Sequence, residues 1–393
     1  MKHKVLEVYY KKKLVGTLAE TEDKLVAFQY YREWLKNGFS ISPFSLPLRD
    51  NVFIPEGDSR RIFGGLFGVF DDSLPDSWGN LLMDRYLASK GVSRDSVSSI
   101  DRLAYIGESG MGALDYYPSH SNDFNISGLD YDSIAEECCQ ILRSKESDQL
   151  DILYDLGGSS GGSRPKILLK DDKGDWIVKF PMSLDDQISG KREYDYSICA
   201  KKSGIIMTET NLIPSKLCEG YFKTKRFDRE DGEKILSLTF AGVLETDFRS
   251  PSCDYNTYMK LINILSREDK KQIEQLFMVM CFNVFNHNLD DHAKNFSILW
   301  KNDRWQLAPA YDLTLSNTYY GEHTTSVNGK GKNIEDDDLI SVGVKAGLSR
   351  NKCKELINEV RTNSSDLNEY MANAKQAKAG KVELEDRLKE VQQ

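Results

Sequence analysis

Asp290-Asp-His-Ala-Lys-Asn295, followed by Pro309-Ala-Tyr-Asp312, is the stretch on which the reading of this chain turns. Ahead of it, Ile273, Leu276, Phe277, Met280, Val284 and Phe285 recur at the i, i+3, i+4 spacing of a core helix. That helix delivers a polar loop, Asn286 to Asn295. Phe296–Trp300 then reads as a strand, Asn302-Asp303 as a turn and Trp305–Ala308 as the returning strand, with Asp312 just beyond. A hairpin therefore brackets the two acidic ends and can bring Asp290, Asn295 and Asp312 to one pocket.

The order Asp, Asn five residues later, then Asp after a strand is the one that protein kinases use for phosphoryl transfer. In that scheme Asp290 accepts the proton of a substrate hydroxyl, while Asn295 and Asp312 hold Mg²⁺ against the phosphates of ATP. A single Asn/Asp cluster is more often a solvated turn. Here the spacing, the strand before the second Asp and complementary segments upstream outweigh that reading. Metal-dependent hydrolysis is the rival chemistry, with Asp290, Asp291, His292 and Asp312 as ligands, but no further His-rich set accompanies them.

Upstream, Lys166–Lys170 and Trp176–Phe180 read as a hairpin closed by Asp-Asp-Lys-Gly. Lys179 lies within its apolar second strand, where an ammonium needs an anionic partner. Glu193, on the next helix (192–204, stopped by Gly204), is the carboxylate that would pair with it, as the strand Lys and helix Glu of a kinase do. The reading in which Lys179 simply reaches solvent from an edge strand stands beside this. Just before the hairpin, residues 157–164 (GGSSGGSR) form the one dense Gly/Ser cluster. It matches neither GxxxxGK[ST] nor GxGxxG, and by itself it reads as a flexible linker; its glycines allow backbone N–H groups to approach phosphate, and its place one hairpin before Lys179 offers the second reading, a phosphate lid. Ser159, Ser160 and Ser163 are potential phosphate acceptors there.

The rest of the chain reads as α+β. Residues 4–20 form a hairpin around Lys11–Lys13, residues 39–50 are extended, a helix starts at Asp76-Ser77 and ends at Gly91, and 100–117 opens from glycines into a short strand. Residues 121–150 hold a polar linker and one helix, 205–242 further short strands, and the chain from about 255 is mostly helical. Its end, 366–393, reads as a charged surface helix. With 393 residues, 40% of them apolar, there is ample material for a core. A net charge of −9 argues against a dedicated nucleic-acid binder. The seven cysteines are scattered, without metal-ligand spacing, and read as reduced core thiols of a cytoplasmic protein. No run has the length of a membrane helix or a signal peptide.

Taken together, VYYKKKLVGTL, SLPL, FDDSLPDS, IGESGMGAL, SSGGSRPK, WIVKFP, KRFDR (225–229), DDHAKNFSIL (290–299) and PAYDL (309–313) resemble, in order, the HipA family of bacterial serine/threonine kinase toxins. The resemblance implies a small N-terminal α+β module (1–120) packed on a bilobal protein-kinase-like domain, with a linker and helix (121–150), an N-lobe (151–230) and a helical C-lobe (231–393). It implies Asp290 as the catalytic residue, Asn295 and Asp312 as Mg²⁺ ligands, and Lys179 as the phosphate-binding lysine positioned by Glu193. ATP contacts are implied for Gly161, Gly162, Ser163, Arg164, Pro165 and Lys166, for His292, Ala293, Lys294 and Asn295, and for Tyr311 and Asp312. Lys225, Arg226 and Phe227 would be the hinge that hydrogen-bonds adenine through its backbone. Ser159 matches the serine that such kinases autophosphorylate, with Ser160 as the alternative. Asp291 stands where some members have Gly, adding charge near the metal. The implied partners are a HipB-like helix-turn-helix antitoxin, through which alone the toxin meets DNA, and a protein substrate of the aminoacyl-tRNA synthetase kind.

Two other classes fit the same residues. One is an inactive pseudokinase that acts by binding a partner, against which the intact Lys179, Asp290, Asn295 and Asp312 speak. The other is a small-molecule kinase, against which the N-terminal module speaks.

Overall fold

Alternation builds the N-terminal sheet. In Val5–Tyr10 (β1) the side chains of Leu6 and Val8 are buried while Val5 and Glu7 are exposed, the period of a strand with one covered face. The chain reverses through Lys11 and Lys12, at φ 48° and 62°, into Lys13–Glu20 (β2), and the hairpin expected over 4–20 is present, with a register shift between Val8 and Tyr9. Val26–Tyr30 (β3), Val52–Phe53 (β4) and Leu114–Tyr117 (β5) complete an antiparallel sheet of order β4-β3-β2-β1-β5. Residues 39–50, expected to be extended, hold an isolated bridge, Ser42 to Leu46.

The structure is a computed structural model that describes residues 4–120, 130–145, 147, 149–182, 187–250, 253–318 and 320–372. The described residues group into two units, one within 1–191, 208–252 and 293–308, the other within 192–207, 253–292 and 309–393.

In the first unit, Lys166–Asp171 (β6), Gly174–Lys179 (β7), Thr210–Ile213 (β8) and Tyr221–Lys225 (β9) make an antiparallel sheet of order β6-β7-β9-β8. Gly174, at φ 130°, ends the turn that joins β6 to β7 and sets Lys166 opposite Lys179. Ile167, Val178, Phe180 and Tyr221 share a core with Trp78 and Leu82 of the helix Ser77–Ser89, with Ile134 and Ile141 of Tyr131–Leu142, and with Leu153 and Leu156 of Leu150–Gly157. At about 1.5–3 kcal/mol per fully buried large side chain, this shared core binds the N-terminal segment to the sheet. The last of these helices is additional to the single helix expected in 121–150, and it runs into the Gly/Ser cluster. A two-residue-strand hairpin, Arg229–Glu230 (β10) and Glu233–Lys234 (β11), precedes Ser237–Thr239 (β12). β12 pairs with Ser297–Lys301 (β13), and β13 with Arg304–Leu307 (β14). Asn302 and Asp303, both at positive φ (54° and 55°), close the last hairpin as the mirror-image turn that a tight hairpin favours.

The second unit is helical: Tyr255–Leu265, Lys270–Phe285, Asp336–Lys345 and Arg350–Asn363, with most of Ser189–Lys202. Ile273, Leu276, Phe277 and Met280 are buried as the periodicity predicts. A Cβ at Gly343 would come within 2.5 Å of the Cys353 sulfur and 2.7 Å of the Phe277 ring, so only glycine permits this helix packing. Gly204, at φ 80°, follows the helix that carries Glu193. Most of the surface helix expected over 366–393 lies outside the described residues. Among the described residues no helix is long and apolar enough to cross a membrane.

Candidate active site

The loop carrying Asp290 is built in the second unit on a continuous hydrogen-bonded chain. His323 Nδ1 lies 2.9 Å from Asp291 Oδ2, which also accepts from the Tyr255 hydroxyl at 2.9 Å, and Asp291 Oδ1 accepts the Thr325 N–H at 3.0 Å. Asn283 Nδ2 donates to the Tyr255 oxygen at 3.0 Å, and Asn288 Nδ2 to Asn283 Oδ1 at 2.9 Å. Ser316 Oγ donates to Asn288 Oδ1 at 2.7 Å and accepts the Asp290 N–H at 3.0 Å. Burial, and then the charge of Asp291, push the Tyr255 hydroxyl well above its ordinary pKa, so it remains a donor. The backbone of Asp290 is thus fixed from below, while its side chain is 57% exposed.

The Asp291 carboxylate is fully buried and committed to Tyr255, His323 and Thr325, which removes it from the hydrolytic ligand set. His292 Nε2 stands 3.7 Å from Asp290 Oδ1. In the same unit Ala310 N–H donates to Ile206 O at 2.8 Å, and Asp312, two residues on, holds φ at 56°. A non-glycine residue in that region is the kind of local strain that collects at functional sites. Glu193 is buried in this unit, whereas Lys179 ends β7 in the first, its ammonium 5.7 Å from the centre of the Phe222 ring.

The Gly/Ser loop lies wholly in the first unit. Ser159 and Ser160 are buried, and Ser160 Oγ donates to Gly157 O at 2.6 Å. Lys166 is folded under the loop, its ammonium donating to Gly161 O, and Pro165 O accepts the Phe180 N–H at 2.8 Å. Gly162 holds φ at 86°, a backbone conformation that favours glycine. The loop is seated on the start of Ser77–Ser89: Trp78 Nε1 donates to Lys166 O at 3.0 Å, and Asp76 Oδ2 accepts the Gly162 N–H at 2.8 Å.

At the expected hinge, two of the backbone N–H groups are already engaged inside the unit. Lys225 donates to Glu209 O at 2.9 Å and Arg226 to Asp175 O at 2.8 Å. The Arg226 side chain grips Asp228 through two bonds of 2.9 and 2.7 Å. Asp228 also receives Arg229 at 2.9 Å and the Gly112 N–H at 2.7 Å, so KRFDR and the GESGMG turn are locked together by a buried charge cluster. Burial alone would raise the Asp228 carboxyl, but Arg226, Arg229 and these hydrogen bonds hold it far below the usual range. Burial pushes Arg229 down to about 10.

Ala293–Asn295 forms a 3-10 turn in the first unit. Lys294, expected among the ATP contacts, has its ammonium committed elsewhere, 2.7 Å from Asp76 and 3.3 Å from Asp71, over the Phe248 ring at 4.8 Å. Burial would lower its pKa, yet the two carboxylates hold it above the ordinary value. Asp72 accepts both the N–H and the hydroxyl of Thr239 at 2.7 and 2.8 Å, and burial raises it to about 7. From the sequence, Asp71, Asp72, Asp228 and Tyr255 have no role, and Asp76 has only that of starting the helix Ser77–Ser89. The available signal was charge inside FDDSLPDS and KRFDR, beside residues that must be buried. Among the described residues no group of three or more His, Cys, Asp and Glu side chains is placed to hold a metal ion. The hard oxygen donors of Asn295 and Asp312 suit Mg²⁺, which is commonly held by one or two side chains together with substrate phosphates.

Fold and motifs define an α+β protein of the kinase-like class. Residues 6–117 match the family model of the HipA N-terminal domain and residues 158–367 that of the HipA-like C-terminal domain, and the chain belongs to the HipA family. The Sinorhizobium fredii protein named "Putative kinase Y4mE" is 25% identical over 348 residues, covering 80% of this chain and 78% of that protein. A chain in the Shewanella oneidensis MR-1 structure of the toxin–antitoxin system HipA, HipB and its operator DNA has the same fold, with a TM-score of 0.69 at 18% identity, covering 93% of this chain and 91% of that one.

Proposed function

We propose that this chain is an ATP-dependent protein serine/threonine kinase of the HipA toxin type. It phosphorylates a cellular protein, by family resemblance an aminoacyl-tRNA synthetase, and so inhibits translation and growth in the cytoplasm. A HipB-like helix-turn-helix antitoxin neutralises it and supplies the contact with DNA. The observation that carries the reading is Asp290 itself: its backbone is held by Ser316 while its carboxylate is open to a substrate, in a chain of the HipA family.

In the proposed reaction the Asp290 carboxylate takes the proton of a substrate serine or threonine hydroxyl as that oxygen bonds to the γ-phosphorus and the bond to ADP breaks. The Lys179 ammonium, oriented by Glu193, neutralises phosphate charge. The 157–166 loop covers the phosphates, and the hinge at 225–227 takes the adenine. Asn295 and Asp312 are the residues assigned to hold Mg²⁺, which when bound supplies positive charge beside the phosphates. Ser159, or Ser160 beside it, is the assigned site of autophosphorylation, and its burial requires the loop to open first.

The test is radiolabelled ATP with the purified chain and with Asp290→Asn. Label on the wild-type chain, lost by at least about a hundredfold in the variant while ATP binding persists, is the expected result. Equal labelling of both would sink the assignment of Asp290. No label together with no ATP binding would replace the kinase with a binding protein.

A further inference from the structure

We propose that Asp76 is a positioning residue that clamps the glycine-rich loop in its seat and ties that seat to the catalytic-loop segment through Lys294. The inference rests on reading 157–166 as the loop that covers ATP. One carboxylate serves both segments: Oδ2 accepts the Gly162 N–H at 2.8 Å and Oδ1 receives the Lys294 ammonium at 2.7 Å. Lys294 directly precedes Asn295.

Asp76 is the N-cap residue of Ser77–Ser89, yet it makes no side-chain cap bond. An aspartate there ordinarily bonds the N–H groups of its own helix. Here that capacity is turned to the loop. The seat around it is close-fitting. A Cβ on Gly79 would lie 2.9 Å from both Gly158 O and Ser160 O, so the first turn of the helix lies directly against the loop backbone. Trp78 adds Nε1 to Lys166 O at 3.0 Å. Ser159 and Ser160, within the seated loop, are buried. Asp71 also pairs with Lys294, at 3.3 Å, and thereby provides a control that perturbs the lysine while keeping the Asp76–Gly162 bond.

Hydrogen–deuterium exchange on the full chain without nucleotide reads the seat directly. In Asp76→Ala, exchange of peptides spanning 157–166 should quicken roughly tenfold, the loss expected when a charge-assisted hydrogen bond goes. Asp76→Asn, whose amide oxygen can still accept the Gly162 N–H, should fall between, and it keeps the test open if the alanine variant folds poorly. Asp71→Asn should match wild type. With ATP, the loosened loop should raise KM more than it lowers kcat, and the asparagine should restore part of the difference. Unchanged loop exchange in both Asp76 variants overturns the proposal, as does equal loosening by Asp71→Asn. Failure of ATP to protect 157–166 in the wild-type chain would overturn the kinase reading instead, and the nucleotide-free exchange would still decide the role of Asp76.

Discussion

At the scale of single residues, neighbours in sequence have opposite fates. Asp290 is exposed and Asp291 fully buried, although both read alike as loop carboxylates. Spacing to Asn295 picks out the first. Nothing local identifies the second as an anchor, because its partners, Tyr255, His323 and Thr325, come from distant parts of the chain. Ser316 was invisible for the same reason, yet it is the residue through which the buried network reaches Asp290. Ser316→Ala should lower kcat roughly tenfold with little change in KM for ATP, since it removes orientation rather than ATP binding. Steady-state kinetics check this, and a change confined to KM would count against it.

At the scale of elements, the hairpins were legible because alternation and turn residues are local signals: β1–β2, β6–β7 and β13–β14 lie where the sequence places them. β3 was not legible. Four of its five residues, Val26, Ala27, Phe28 and Tyr30, are buried, which leaves no alternation to read. The end of β9 shows how a motif can be recognised while a second role goes unread. KRFDR reads as a hinge at Lys225 to Phe227, and it also sets Asp228 between the buried Arg226 and the half-buried Arg229. Asp228→Asn leaves Arg226 and Arg229 without their counter-charge and should cost about 3–5 kcal/mol in urea unfolding. A loss below about 1 kcal/mol would show that water or relaxation compensates them.

For the whole molecule, buried carboxylates make stability depend on pH in two opposed ways. Asp228 and Asp76 are held below the ordinary range, each against the effect of its burial, by Arg226 and by Lys294 respectively. Their contribution is present above the unfolded pKa and is lost as pH falls through the depressed values. Asp72 is raised from 3.8 to about 7 by burial, so in that window the folded state holds a proton that the unfolded state has released. Its contribution therefore declines as pH rises from about 4 to about 7. Asp72→Asn does not titrate, and its stability relative to wild type should improve steadily across that interval. Unfolding curves at several pH values test this; a pH-independent difference would remove Asp72 as the source. The overall α+β class and family were legible because motifs recur in order. How FDDSLPDS joins 293–295 was not, since Asp71 and Lys294 are 223 positions apart.

Trp78 gives the molecule an optical gauge of its own. Its indole is almost fully shielded, and its N–H is fastened to the carbonyl of Lys166 at the root of the glycine-rich loop. If that loop lifts, the indole exchanges a fixed carbonyl for mobile water, and its fluorescence should shift to the red. Comparing the emission of the wild-type chain with that of Trp78→Phe isolates this signal from the other tryptophans, so the opening of the loop becomes visible in real time without any added label.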